Sequence, residues 1–388
     1  MTRIAEKRTG FRWEDWPRQL SASTYGAVRD RYVEGVSACP DVVAVFQMGE
    51  SSVPGISDID LIVVVKEELS QSRPGTYALP SEETALYCFS HTPYVAPRDV
   101  FLNLERFWWT QGLKPLGATG LAPLPLDDQS QKLVGLSLVV DYIPLLLPVV
   151  FSALESRVIP VRKMLAVLNS VRYSFSLLEP FEPAHEWTEF GDQVAALRSK
   201  FFKRDTGASK KALLGLMEAA ARCMSGAMTR LDSLLQSRAF FGPLGSASGL
   251  LEVSPTTWYR FAPDWMEGGS GVSRGGLPRR LAHRVVSLPP GLLPVYQVYA
   301  GGHGPISARI RSGLKLDKPV VRESPAEFEN ILREKMYLAD RQASFLQLHG
   351  FSWGQMALFP FYRRKRLFRG TLERAVAGLH WRRLSSDC

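Results

Sequence analysis

The sequence predicts an α+β fold, a mixed sheet with helices over the first 125 or so residues followed by a largely helical region. Three observations carry this. Residues 43–46 and 59–65 are short apolar runs rich in β-branched residues, which fit strands, and Gly49, Pro54 and Gly55 between them punctuate a tight connection. Residues 22–37 place Tyr25, Val28, Tyr32 and Val36 at spacings of three and four, the period of an amphipathic helix. Beyond Gln129 the apolar residues recur at helical spacing in one segment after another.

Taken in order, residues 1–20 are polar and carry Trp13 and Trp16, and are expected to strap over the first domain. The helix over 22–37 stops before Pro40, which cannot continue it. The two strands come next. Residues 66–81 form a charged connection containing Pro and Gly. Residues 85–90, ALYCFS, read as a third strand ended by His91, Thr92 and Pro93, and 100–104 read as a further alternating run after Arg98 and Asp99. Residues 113–128 hold the glycines and prolines of a crossing loop.

Residues 133–154 are almost wholly apolar and approach the length of a membrane-spanning helix. Asp141, Pro144 and Pro148 interrupt them, and an ionisable group at mid-membrane is expensive, so a buried helix pair or a helix and turn is expected. Helices are expected over 157–178, with Pro160 near the first turn and Pro180 beyond the end, and over 193–202 and 208–234. Residues 240–280 are loop-rich, and their GGSGVSRGG lacks the Gly-Lys-Ser/Thr ending of a P-loop. Residues 285–300 read as a strand pair or a buried extended segment, with a turn at 301–304. A last helix opens at Pro325, with Ser324 as its cap, and runs to about His349. The expected division is 1–125, 126–240 and 241–388.

The chain has 388 residues, 45% hydrophobic, enough for a full core. Its 47 basic and 38 acidic residues leave a charge of +9, which favours an anionic partner. Cys39, Cys88, Cys223 and Cys388 are scattered without paired spacing, which points away from a disulfide framework or zinc site and fits a reducing, cytoplasmic compartment. The first ten residues lack the apolar run of a signal peptide, and no membrane partner is expected. No histidine has a metal-binding spacing to a cysteine or another histidine.

Asp58 and Asp60 stand two apart at the mouth of the second strand, so their carboxylates share a face. Two like charges that close call for a cation between them, and magnesium commonly takes one or two carboxylates plus substrate phosphates. Gly49, Ser51, Ser52, Gly55, Ser57, Asp58, Ile59, Asp60 and Leu61 together resemble the nucleotidyltransferase fold of the DNA polymerase β superfamily, whose signature is a Gly-Ser turn followed by Asp-x-Asp on the next strand. The resemblance covers about the first third of the chain. Glu50 stands where the family usually has serine after the glycine.

That resemblance implies a nucleotidyltransferase-type mixed sheet as a catalytic core over 1–125, a helical domain over 126–240, and a mixed region with a basic tail over 241–388. It implies Mg2+ or Mn2+ held by Asp58, Asp60 and a third carboxylate, and a nucleoside triphosphate whose phosphates meet Gly49, Ser51 or Ser52, and Ser57. By position the third carboxylate is Asp99. Glu105 and no third carboxylate at all, with His91 in its place, are the alternatives. The basic junction of Lys200, Lys203, Arg204, Lys210 and Lys211 suits a helical domain closing over the triphosphate, with Lys203 and Lys210 as phosphate contacts. The implied reaction moves a nucleoside monophosphate to a hydroxyl acceptor. RNA is the candidate acceptor, because Tyr362, Arg363, Arg364, Arg366, Phe368 and Arg369 combine charge with stacking side chains. Three other readings stay open: a non-catalytic nucleotide- or RNA-binding module, a small-molecule nucleotidyltransferase, and a phosphotransferase.

Overall fold

A computed structural model of the chain describes residues 10–49, 51–70, 74–106, 112–237, 239–244, 247–254, 257–265, 272–274, 284–316 and 326–351. Glu50, the 268–271 and 275–276 parts of the glycine-rich stretch, Ser324 and the basic tail from 359 onward lie outside the described residues.

The chain opens with β1 (Arg12–Glu14) and α1 (Ala22–Ser37), then forms the antiparallel pair β2 (Val42–Met48) and β3 (Asp60–Val65). α1 starts where Ser21 Oγ accepts the Thr24 N–H at 3.0 Å, a serine N-cap. After α2 (Glu83–Cys88), β4 (Tyr94–Pro97) pairs parallel with β3; it is followed by α3 (Arg98–Leu102), and the short β5 (Lys114–Pro115) pairs antiparallel with β2. The result is an open mixed sheet in the order β4-β3-β2-β5.

β3 is buried on both faces, and its alternation assigns each. Leu61, Val63 and Val65 pack toward Tyr25, Tyr32 and Val36 of α1 and the helical body. Ile62 and Val64 pack toward Phe46, Phe101, Leu104 and Leu338. The parity of the strand puts Asp60 on the Ile62 and Val64 side, at the end where that apolar layer stops.

The helical body is α4 (Asp128–Ser156), the short β6 (Val158–Pro160), α5 (Val161–Leu178), α6 (His185–Lys200) and α7 (Thr206–Leu235). Asp127 and Asp205 cap α4 and α7 by accepting the N–H groups of Ser130 and Ala208. β6 pairs parallel with β1, so the N-terminal segment is tied to the helical body rather than lying loose over the sheet. A five-stranded sheet comes next, from β7 (Gly249–Ser254), β8 (Thr257–Phe261), β9 (Val272–Arg274), β10 (Arg284–Leu288) and, after α8 (Leu293–Ala300) and α9 (Pro305–Gly313), β11 (Leu314–Leu316). Its order is β11-β7-β8-β10-β9. α10 (Ala326–Leu348) returns to the first sheet, where Gln342 Nε2 donates to Val95 O at 2.8 Å.

Four expectations need correction. Residues 85–90 are not a strand: 83–88 form α2, with Ala85 and Cys88 buried at a spacing of three. Residues 100–104 are not a strand either, since 98–102 form α3. Short apolar runs satisfy both periods, and packing decides between them. Residues 285–300 contain β10, but 293–300 are helical. The apolar stretch is one helix, not two, despite Pro144 and Pro148. Pro148 has no N–H to give to the Pro144 carbonyl four residues back. The buried hydroxyl of Tyr259 donates to that carbonyl instead, at 3.2 Å, which satisfies it. This is the helix, among those described, that is long and apolar enough to cross a membrane; 83% of its most apolar window is buried inside the protein, as in the core helix of a soluble protein.

Candidate metal and phosphate site

The β2–β3 connection is held from three sides. Tyr25 OH accepts the Gly55 N–H at 2.9 Å and donates to Ser57 O at 2.7 Å. Tyr87 OH donates to Gly55 O at 2.7 Å while accepting the Arg18 N–H at 2.7 Å. Ser51 Oγ donates to Asp58 O at 3.0 Å. Gly49 and Gly55 take φ of +63° and +91°, a region glycine enters freely. At Gly55 a Cβ would also lie 1.8 Å from Arg18 O, a backbone atom that cannot swing away. Gly55→Ala is therefore expected to cost at least about 2 kcal/mol, read as a drop in the urea midpoint; an unchanged midpoint would show that the connection does not need this conformation.

Asp58 lies in the extended approach to β3 and Asp60 is the strand's first residue. Both line a cavity of about 800 Å3, with Gly49, Ser52 and Ser57 from the connection also on its wall. Asp58 Oδ2 accepts from Ser90 Oγ. Asp60 Oδ1 lies 2.7 Å from His91 Nε2. One ligand atom from each of Asp58, Asp60 and His91 falls within 4.8 Å of the other two, a group compact enough for one metal ion.

The third member is thus His91, and Asp99 is not brought to the group. Asp99 sits in the first turn of α3, where Oδ1 accepts the Val100 N–H at 2.9 Å and Oδ2 accepts from Arg341 Nε at 2.9 Å. Because 98–102 are helical, the carboxylate is turned toward α10 instead of the cavity. Glu105, in a short 3-10 turn, does not line the cavity either.

His91 Nδ1 faces Thr92 O at 2.8 Å and Nε2 faces the Asp60 carboxylate. A carbonyl and a carboxylate face the two ring nitrogens, an arrangement that suits the doubly protonated ring. Burial pulls its pKa down, but the hydrogen bond and charge of Asp60 outweigh this and push it up to about 9. Burial, and then the Asp58 charge, raise the Asp60 carboxyl above the usual range, with His91 opposing. The two side chains are 29% and 33% exposed, so cavity water screens the pair.

This pair makes stability depend on pH. His91 stabilises the metal-free fold fully below its unfolded value near 6.5, and this is lost as pH rises through about 9. The stability gap between the protein and His91→Gln in chelator should close over that window. A gap constant from pH 6 to 10 would rule out a charged pair.

The expected phosphate contacts separate. Gly49, Ser52 and Ser57 line the cavity, whereas Ser51 faces a neighbouring recess. Lys203 is exposed in the turn after α6, and Lys210 Nζ lies 5.8 Å from the ring centroids of both Trp13 and Trp16. Neither lysine lines the cavity.

The cations that do are Arg172 and Arg198. Arg198, in the last turn of α6, is 7% exposed; Nη1 donates to Leu165 O at 2.9 Å and Nη2 to Ser57 Oγ at 3.0 Å. Among the described residues no carboxylate pairs with it, and burial pulls its pKa down. Asn169, Ser170, Tyr173 and Ser174 complete the α5 wall. The sequence carried a signal for that wall, since Asn169, Arg172 and Tyr173 recur at three and four on the helix side flanking Leu168, Val171 and Phe175. Arg198 had none, being one of two basic residues in the last turn of its helix.

No family model, curated protein or solved structure matches the chain.

The donor set fits a divalent ion. Two carboxylates supply hard oxygen donors suited to Mg2+ or Mn2+. His91 Nε2 joins them only after giving up its proton, which would favour Mn2+ over Mg2+.

Proposed function

We propose that the chain is a divalent-metal-dependent nucleotidyltransferase with a nucleotidyltransferase-type core, moving a nucleoside monophosphate from a nucleoside triphosphate to a hydroxyl acceptor. One observation carries this reading. A close pair of carboxylates and a buried arginine without a carboxylate partner line the same cavity. A cation alone suits the first and an anion alone suits the second; a metal-bound polyphosphate supplies both. Burying Arg198 without a directly bonded carboxylate is costly, the Asp58 charge offsetting this only in part, and a phosphate oxygen would relieve it.

Asp58 and Asp60 would hold the ion, which when bound polarises the phosphoryl group and neutralises its charge. Gly49 and Ser52 meet the phosphates from the connection. Ser57, oriented by Arg198, sets the height of the loop beneath them. The acceptor oxygen forms a bond to the α-phosphorus, the bond to pyrophosphate breaks with its electron pair leaving on pyrophosphate, and the hydroxyl proton passes to the Asp58 and Asp60 side of the cavity and on to water. Tyr94 and Tyr142 wall the cavity near the carboxylates.

Calorimetry with ATP, CTP, GTP and UTP, with and without magnesium or manganese, tests the site, and α- against γ-labelled nucleotide tests the reaction. Binding that ignores the metal would sink the metal site. Transfer of the γ-label would identify a phosphotransferase. His91 in place of a third carboxylate favours one second reading, a non-catalytic nucleotide-binding module. Metal-dependent binding without any labelled product would select it.

A further inference from the structure

The connection after β2 separates two hollows. One is the metal and phosphate cavity. The other, of about 410 Å3, lies between α1, β2 and β5 and shares Gly49, Ser52 and Gly112 with the first. Among the described residues its charged lining residues are Arg29 and Lys114, and no described acid lines it. Arg29 Nη1 is held by Gln47 Oε1 at 3.0 Å, which fixes the guanidinium against β2. Its Nε and Nη2 meet Asp30 Oδ1 at 2.8 and 2.7 Å, so Arg29 offers the recess the remaining N–H groups of its fork, and exposed Lys114 adds a cation for which no ion pair is seen among the described residues. Tyr25, Gly26 and Ala22 form the floor.

A group transfer needs two substrates meeting at one point. In the main cavity, Arg172 and Arg198 already answer the triphosphate. The recess is separate from those arginines, shares Gly49 and Ser52 with the main cavity, and carries its own cations. We infer that this recess is the acceptor site and that Arg29 and Lys114 hold a phosphate of the acceptor, so that the accepting hydroxyl belongs to a phosphate-bearing molecule. The inference rests on the nucleotidyltransferase reading and names the class of its second substrate. Water or an uncharged alcohol would leave Lys114 and the open N–H groups of Arg29 unused, whereas a phosphate placed between the fixed guanidinium and the lysine gains charge-assisted bonds from both. A small phosphorylated sugar and the end of an oligoribonucleotide share this chemistry.

The test incubates the full chain with α-labelled ATP, CTP, GTP or UTP and manganese, and offers ribose, ribose 5-phosphate or a short oligoribonucleotide ending in a 3′-hydroxyl. Label should enter a phosphate-bearing acceptor at least about tenfold faster than ribose, and which of the two is labelled identifies the source. In R29A/K114A the KM for that acceptor should rise at least about tenfold, with kcat and nucleotide affinity within about twofold. Lys114→Glu, at an exposed position, should have the same effect if the double variant folds poorly. Equal labelling of ribose, an unchanged acceptor KM in both variants, or metal-dependent nucleotide binding with no labelled phosphate-bearing acceptor would each overturn the inference while leaving the nucleotide site standing. Loss of metal-dependent nucleotide binding in the unaltered protein would instead remove the nucleotidyltransferase reading, and the acceptor site with it.

Discussion

Replacing Asp58 and Asp60 together by asparagine is expected to abolish metal-dependent nucleotide binding and to lower transfer at least ~1000-fold. Asparagine keeps the shape and one oxygen of each side chain, so Ser90 and His91 retain acceptors to bond. What disappears is the charge that would hold an ion. The fold should survive, because burial and mutual repulsion already hold Asp60 above the usual carboxylate range in the metal-free protein. Stability in chelator should change by no more than about 1 kcal/mol, since lost repulsion offsets the lost attraction to His91. Calorimetry gives the binding and urea unfolding gives the stability. A double variant that still binds nucleotide more tightly with magnesium than without would show that the ion sits elsewhere.

The largest effect on stability is expected deep in the helical body, at Asp141 and Lys335. Lys335 Nζ bonds Asp141 Oδ2 and donates to Ser137 O at 2.8 Å, and the Asp141 and Lys335 side chains are 5% and 1% exposed. Tyr299 OH also donates to Asp141, at 3.3 Å. Burial is the leading influence on both groups, raising the carboxyl and lowering the amine, with each partner opposing the shift of the other. Lys335→Met removes the compensation and leaves a carboxylate in an apolar interior, at a cost of about 3–5 kcal/mol. That is a large share of the ~5–15 kcal/mol by which a domain is stable. Asp141→Leu alone should cost as much. The two substitutions combined should recover most of the loss, because an apolar pair needs no desolvation of charge. Urea unfolding of the four proteins forms the cycle; single variants within about 1 kcal/mol of the parent would remove the pair as a major support.

This pair also reaches the site. It joins α4 to α10, and the next residue of α4, Tyr142, lines the candidate metal cavity. α10 in turn holds β4 through Gln342 and α3 through Arg341, and Tyr94 at the start of β4 stands beside His91. The cavity wall therefore depends on a helix more than 200 residues away in sequence from the Asp58–Asp60 strand.

The sequence by itself determined the parts of this protein that local rules govern. The order of α1, β2, a glycine-punctuated turn and β3 was legible because each segment has one clear period and its own stop signals. The shared face of Asp58 and Asp60 came from the two-residue repeat of an extended chain and needed no tertiary information. The long helices α5, α7 and α10 were legible for the same reason, a single clear period. Only the tertiary structure decided the rest. Residues 83–88 and 98–102 are too short for period to separate strand from helix, and packing made both helical, which turned Asp99 toward Arg341 and left His91 beside Asp60. In the unbroken α4 the carbonyl that Pro148 leaves open is satisfied by Tyr259, a residue of the second sheet that no local rule connects to it. Arg198 became a candidate phosphate ligand because folding buried it without a carboxylate partner, and partnerlessness is a property of the surroundings, not of the residue. The recess between Arg29 and Lys114 exists only because β5 closes against β2, bringing together side chains that no spacing in the chain connects.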